Sequence, residues 1–207
     1  ELIGGNHPTW MAYAKQFGLT MRDVSDDEPF DSPILIGGKR IDGKQASDLF
    51  AQVDNAMALM NADAQQVNRQ RPWESPNAAV LDRRSLADVA SQWPVDAQVR
   101  GATLALLSND NVLEPSSASY LALLSNIAGG DIEAYWSESE IYRCSSGNQA
   151  LAFKLADAIG SERIQLRTPI ERLQLLGDGV RITTARGQRL EADAVVLTAP
   201  PSTWDRL

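Results

Sequence analysis

Side chains suited to nucleophilic, metal or proton chemistry are scarce in this sequence. It has one histidine, His7, and one cysteine, Cys144. No Cys/His zinc set can be assembled from them, and no internal disulfide can form. A serine triad needs a histidine base. His7 stands alone in a Gly/Pro-rich loop and no G-x-S-x-G elbow occurs, so acyl transfer through a triad is disfavoured. Carboxylates are plentiful, yet no pair sits in an apolar setting that would split their pKa values. Glu138 and Glu140 flank a strand start and read as solvated. A phosphate cradle would need G-x-G-x-x-G between a strand and a helix. Gly177-Asp178-Gly179 is instead followed by a strand pattern and reads as a hairpin turn. Trp10, Trp73, Trp93 and Trp136 could wall an apolar pocket, with core packing the simpler reading of each.

Composition narrows the function classes further. The chain has 207 residues, 43% of them apolar, enough for a sizeable core and near the usual size of one domain. A formal charge of −8 repels phosphate backbones and anionic membrane surfaces, which argues against nucleic-acid and membrane partners. No run of about 18 apolar residues is present to span a bilayer, and no charged-then-apolar leader opens the chain. The sequence therefore reads as soluble, with a cytoplasmic lean. The abrupt start at Glu1-Leu2-Ile3-Gly4-Gly5, and a strand-like run that stops soon after Pro200-Pro201, read as cuts within a longer fold.

The elements that must position these residues are helical first. Trp10, Met11, Tyr13, Ala14 and Phe17 recur at helical spacing and stop at Gly18. The acidic stretch Asp23 to Asp31 is too poor in apolar residues to pack and reads as a surface loop. Pro33 to Ile36, Gly37-Gly38 and Lys39 to Ile41 form a hairpin signal. From Ala46 to about Val67, Leu49, Phe50, Val53, Ala56, Met57, Met60 and Ala64 repeat at three- and four-residue steps, the longest predicted helix, with its methionines in the core. Further helices are predicted over 81–89, 95–107 and 116–128, with Ser85 and Asp88 at capping-box spacing and Gly129-Gly130 closing the last.

Beyond Glu140 the pattern turns to strands. Ile141 to Cys144 is short and β-prone, Gln149 to Ile159 is an amphipathic helix, and Arg163 to Leu166 is extended. Ile170 to Leu175, Val180 to Thr184 and Gln188 to Ala192 alternate around Gly-rich turns as a three-stranded antiparallel meander, and Val195-Val196-Leu197 has the character of a buried strand. The sum is an α+β chain, a helical segment followed by a mixed or antiparallel sheet. No internal repeat is present.

Several of these features fall in one specific order. Ser146-Gly147-Asn148-Gln149-Ala150-Leu151 opens a helix, Arg163-Ile164-Gln165-Leu166-Arg167-Thr168-Pro169-Ile170-Glu171-Arg172-Leu173 follows, then the meander, then Ala192 to Pro201. This resembles the flavin-containing amine oxidases, the monoamine, polyamine and L-amino-acid oxidases. Glu1 to Pro8 ahead of the first helix resembles the segment that follows that family's first flavin-binding motif, so the resemblance covers nearly the whole chain. The middle matches only in its helical character.

The resemblance implies a flavoenzyme whose FAD lies in a separate Rossmann-like domain. Residues 1–207 would then be mainly its substrate-binding part, with 1–8 and 194–207 as edges of the missing FAD-binding domain of the same protein. It implies a backbone contact from Ile170 to the FAD adenine, and places Glu1 and Leu2 at the flavin ring. Where L-amino-acid oxidases carry an arginine that clamps the substrate carboxylate, this chain has Leu2, which cannot offer a bidentate fork. The implied substrate is thus a small-molecule amine without a carboxylate, deaminated oxidatively with release of hydrogen peroxide. The monoamine-oxidase lysine near the flavin falls on Arg206, whose guanidinium stays protonated, and no catalytic residue is assigned. Two other readings stand beside this one: an FAD-dependent desaturase or protoporphyrinogen-oxidase-like enzyme, and a non-catalytic binding module.

Overall fold

The computed structural model describes residues 2–25 and 34–206, the last by its backbone alone. The chain divides into two compact units, Glu1–Leu151 and Ala152–Leu207. Glu1 and most of the acidic stretch, residues 26–31, lie outside the described residues.

The first unit opens with Ile3, then helix α1 (Pro8–Gln16), which has proline in its first turn where no backbone N–H is missed. It ends at Gly18, whose φ of +64° suits glycine. Strand β1 (Met21–Asp23) pairs antiparallel with β4 (Tyr142–Cys144), so Asp23 belongs to a strand and not to the predicted surface loop. Three residues carry no readable period, and the partner strand is far away in sequence. Strands β2 (Ile34–Ile36) and β3 (Lys39–Ile41) form the predicted hairpin. Gly37 and Gly38 take φ of +57° and +77°, the positive pair that a two-residue hairpin loop requires.

The predicted long helix is present but interrupted. Helix α2 (Gly43–Ala58) gives way to a single turn, α3 (Asn61–Ala64). At the break Leu59 and Met60 donate to Ala56 and Met57, three residues back, which tightens the turn and drops Met60 to 0% exposure. A 3-10 turn at Pro72–Glu74 leads to α4 (Ala78–Arg83) and α5 (Leu86–Ala90). A single helix over 81–89 does not form. Arg84 O accepts from Tyr120 N–H and Leu86 N–H donates to Ala118 O, both at 3.0 Å, so tertiary bonds claim backbone groups that a continuous helix would have used. The Ser85/Asp88 capping box is formed as predicted.

Helix α6 (Ala97–Asn111) is capped by Asp96, which accepts from Gln98 and Val99 N–H, and α7 (Tyr120–Gly129) by Ser119. A short α8 (Glu133–Glu138), not foreseen from the sequence, carries Tyr135 and Trp136. The core gathers Leu49, Val53, Ala56 and Met60 of the α2–α3 region with Leu86, Leu107, Leu124 and Ile127. Trp93 is buried in it, and Met60 confirms that the methionine stripe packs the interior. Trp73, by contrast, is 67% exposed.

Helix α9 (Gln149–Ile159) follows and runs on into the second unit. The meander is as predicted: β5 (Ile170–Leu175), β6 (Val180–Thr184) and β7 (Arg189–Ala192) in the order β5-β6-β7, all antiparallel, with a bulge between Ile170 and Arg172. Two predicted extended segments do not form strands. Arg163 closes a 3-10 turn (Ser161–Arg163) and Leu166 is 80% exposed, while 194–197 is irregular with Val196 at 87%. A strand exists only where a neighbour supplies ladder bonds, and among the described residues neither segment has one. Thr184 is the sole buried side chain among the described residues of this unit. No helix among the described residues is long and apolar enough to cross a membrane.

Candidate active site

The segment from Leu2 to His7 is tied down at nearly every residue. Ile3 is buried and exchanges both backbone bonds with Tyr142, at 2.7 and 2.8 Å. Gly5 N–H donates to Glu138 O at 2.9 Å. Gly4 and His7 close a turn on themselves: Gly4 N–H donates to His7 Nδ1 at 3.0 Å and His7 N–H donates to Gly4 O at 3.2 Å. In the first of these bonds Nδ1 serves as the acceptor. There is no room for a side chain at Gly4, where a Cβ would meet the Asn6 amide oxygen, Glu138 O at 2.6 Å and Ser139 Cα at 2.7 Å. Glycine is therefore demanded here by close approach, not by φ.

This segment forms one wall of a cleft of about 480 Å³, in the range of small-molecule sites. Leu2, half-buried, contributes the apolar side, and Asn6, His7, Asp110, Asn126, Tyr135 and Glu140 the polar one. A second cleft of about 410 Å³ shares Asp110, Asn111, Tyr135, Ser139 and Glu140 with the first, and adds Trp136 and Ile141. Helix α6 delivers Asp110 and Asn111 at its C-terminal end, α7 delivers Asn126, and α8 delivers the aromatic pair. Tyr135 and Trp136 meet edge to face, with ring centroids 4.8 Å apart.

The electrostatics of the cleft have one sign. Neither cleft has a lysine or arginine on its wall, and among the described residues Asp110 and Glu140 enter no ion pair. The Tyr135 hydroxyl is pushed above the ordinary tyrosine value, first by burial and then by the negative fields of Asp110 and Glu140. It remains a neutral phenol at physiological pH. The wall is thus apolar at Leu2 and Trp136, hydrogen-bonding at Tyr135 and the asparagines, and negative at its rim, a combination suited to an organic cation. Among the described residues no group of His, Cys, Asp and Glu could hold a metal ion.

A model of the flavin containing amine oxidoreductases matches residues 2–206. The chain belongs to that family. A flavin-containing amine oxidase of Oncorhynchus mykiss is 26% identical over 161 residues, 73% of this chain and 30% of the relative. Among solved structures, cyclohexylamine oxidase from Brevibacterium oxydans IH-35A matches 96% of this chain and 46% of its own, at 20% identity and a TM-score of 0.77. Putrescine oxidase bound to putrescine matches 100% of this chain and 47% of its own, at 18% identity and a TM-score of 0.78. At those identities the structural likeness speaks for the α+β fold. The chain spans under half the length of these flavin amine oxidases.

Within this amine oxidoreductase chain, the sequence-derived positions are placed as follows. Leu2 lines the larger cleft, and Glu1 lies outside the described residues. Ile170 opens β5 in the second unit, 38% exposed, on an edge strand of its sheet. Arg206 ends a 3-10 turn, Pro201–Arg206. Of the tryptophans, Trp136 lines the smaller cleft and Trp73 another of about 390 Å³, while Trp93 is core and Trp10 is half-buried. Sequence reasoning missed Asn6, Asp110 and Tyr135, and it read Glu140 as a solvated carboxylate. Glu140 is exposed, yet it stands at the rim of both clefts. No spacing rule links positions 6, 110, 135 and 140, and only the packing of α6, α7 and α8 brings them to one wall.

Proposed function

We propose that residues 1–207 are the amine-facing part of an FAD-dependent amine oxidase that deaminates a small amine without a carboxylate, with hydrogen peroxide as the reduced product of dioxygen. Residues 1–8 and 194–207 would adjoin the FAD-binding portion of the same protein. The observation that carries this reading is the Leu2 cleft, walled by apolar and neutral polar groups, rimmed by Asp110 and Glu140, and free of lysine and arginine on its wall. An ammonium group gains from those carboxylates. A substrate carboxylate would meet repulsion and no arginine fork.

FAD, when bound, supplies the two-electron acceptor for the C–H bond beside the amine nitrogen. Two features of this chain suit contact with it. Ile170 lies on the outer edge of a three-stranded sheet, where backbone groups are left without ladder partners and can meet an adenine edge. The other is Leu2, half-buried on the cleft wall, whose apolar side chain would border the flavin ring. The remaining work belongs to the Leu2 cleft and the one beside it: Leu2 in the first and Trp136 in the second exclude water, Tyr135, on both, donates or accepts as a neutral phenol, and Asp110 and Glu140 draw the cation in. A cytoplasmic location accompanies the reading.

The test is a peroxide-coupled assay of the intact protein, loaded with FAD, on matched pairs of amines and α-amino acids with the same side chain. Faster turnover of the amines supports the reading, and a preference for the amino acids overturns it. Asp110→Asn with Glu140→Gln should raise KM for amines roughly three- to tenfold, the size for exposed charges, with kcat little changed.

A further inference from the structure

The Asn6 side chain has more hydrogen-bond work than its surface position suggests. Its amide nitrogen donates to Gly130 O at 3.2 Å, Ala134 O at 3.4 Å and Ser139 Oγ at 2.9 Å. Ser139 Oγ in turn donates to Tyr135 O at 2.7 Å. The acceptors therefore bracket Tyr135 from the end of α7, from the preceding residue, and from the turn after α8. Two carbonyls facing the amide fix its orientation, because an oxygen turned toward them would be repelled. The Asn6 Oδ1 is left buried and without a donor. It packs against Gly4, where no Cβ can be accommodated, and a Cβ on Gly130 would lie 3.2 Å from Asn6 Nδ2 and 2.8 Å from the Tyr135 ring. The amide is held between two glycines with an unmet acceptor, a costly arrangement for a residue with no task beyond the surface.

We infer that Asn6 is a positioning residue: its amide sets the separation between the Leu2–Gly5 segment and Tyr135, and so the width of the amine cleft and the orientation of the amine in it. This rests on the functional reading above for its kinetic consequence, but not for the clamp itself. No helix or strand joins the two walls at this point. The segment is anchored beyond α8 by the paired bonds of Ile3 with Tyr142, and the ties that reach α8 and the turn before it are this amide and the Gly5 N–H bond to Glu138 O. Loss of the amide would let the Leu2 wall shift by a fraction of an ångström to an ångström, which matters little for holding an amine and much for aligning its C–H bond.

The experiment uses the intact FAD-loaded protein with Asn6→Asp, which keeps the shape and removes every donor, and Ser139→Ala, which removes one acceptor. Should Asn6→Asp fail to fold, Asn6→Ala takes its place. Hydrogen exchange of the peptide covering residues 2–7 should speed up at least about tenfold in the Asn6 variant. Per bound flavin, kcat/KM for the preferred amine should fall roughly ten- to a hundredfold, mostly in kcat, and Ser139→Ala should show a smaller fall in the same direction. Unchanged exchange would sink the clamp. Faster exchange with unchanged kcat per flavin would reduce Asn6 to a stabilising contact and overturn the positioning role. A wild-type protein inert toward every amine would sink the functional reading and with it the kinetic role, while the exchange result still decides the clamp.

Discussion

Trp136 donates its indole N–H to the side-chain oxygen of Asn61 at 2.8 Å, across 75 residues of sequence. Asn61 is buried, and its amide nitrogen donates at 3.0 Å to Glu133, at the start of the helix that carries Trp136. One side chain on the single-turn α3 thus holds α8 by two bonds, and α8 presents Tyr135 and Trp136 to the clefts. Position and packing of the aromatic wall follow from a residue outside it.

Replacing Asn61 by alanine removes both bonds and leaves the indole N–H of a partly buried tryptophan without an acceptor. We expect a loss of about 1–3 kcal/mol in denaturant unfolding, with an increased tryptophan emission wavelength if α8 loosens. Asn61→Asp, which still accepts from Trp136 but repels Glu133, should fall between alanine and wild type.

Tyr120 is 1% exposed and its hydroxyl donates to Asp63 at 2.8 Å. Burial, and then the Asp63 carboxylate, hold its pKa well above the ordinary tyrosine value of 10.0. A tyrosine whose folded pKa is raised contributes stability in full below its unfolded pKa of about 10, and that stability is lost as pH rises above it. Alkaline titration followed at 295 nm should therefore show one tyrosine ionising only together with unfolding. In Tyr120→Phe that late step should be absent, and stability at neutral pH should be lower by about 1 kcal/mol.

The box that starts α5 is closed by Ser85 N–H donating to Asp88 at 2.9 Å and Asp88 N–H donating to Ser85 Oγ at 3.1 Å. Ser85 holds the Asp88 carboxyl below its ordinary value of 3.8, first through its backbone N–H and then through its side chain. Its contribution is present above that unfolded value and disappears as pH falls through the lower folded one. Thermal melts at pH 6 should show Asp88→Ala below wild type, with the gap closing below about pH 3. Ser85→Ala should cost about 1 kcal/mol across the same range.

Gly4→Ala tests the close approach at the Leu2 wall. The added methyl would meet Glu138 O at 2.6 Å and Ser139 Cα at 2.7 Å, both backbone atoms that cannot swing away. The Ile3 bridge to Tyr142 should weaken, seen as faster amide exchange at Ile3 and a loss of about 1–3 kcal/mol, the usual range for overpacking. Gly18→Ala is a control at a glycine with open space around it, where only φ opposes the change.

Local signals carried much of the fold. The helical period of Trp10 to Phe17, the Gly37-Gly38 turn, the Ser85/Asp88 box and the alternation from Ile170 to Ala192 each depend on residues within a few positions of one another, and each is formed. The ordered motifs from Ser146 to Pro201 likewise identified the family from sequence alone. Segments that need a distant partner behaved otherwise. β1 exists because Tyr142–Cys144 lies beside it, whereas the equally β-prone Val195-Val196-Leu197 has no strand neighbour among the described residues and is irregular. The predicted helix over 81–89 breaks because residues 118–120 compete for its backbone.

The same division governs the site. The amino-acid sequence determined that one histidine and one cysteine leave no cluster to do the chemistry, and its resemblance to the flavin family implied an organic cofactor and an arginine-free position at Leu2. Tertiary structure alone decided that Asp110, Tyr135 and Glu140 share a wall with Leu2, and that Asn6 spans to Gly130, Ala134 and Ser139. The reason is physical: periodicity and turn chemistry act over a few residues, but a cleft is set by helix packing, which joins positions that no local spacing relates.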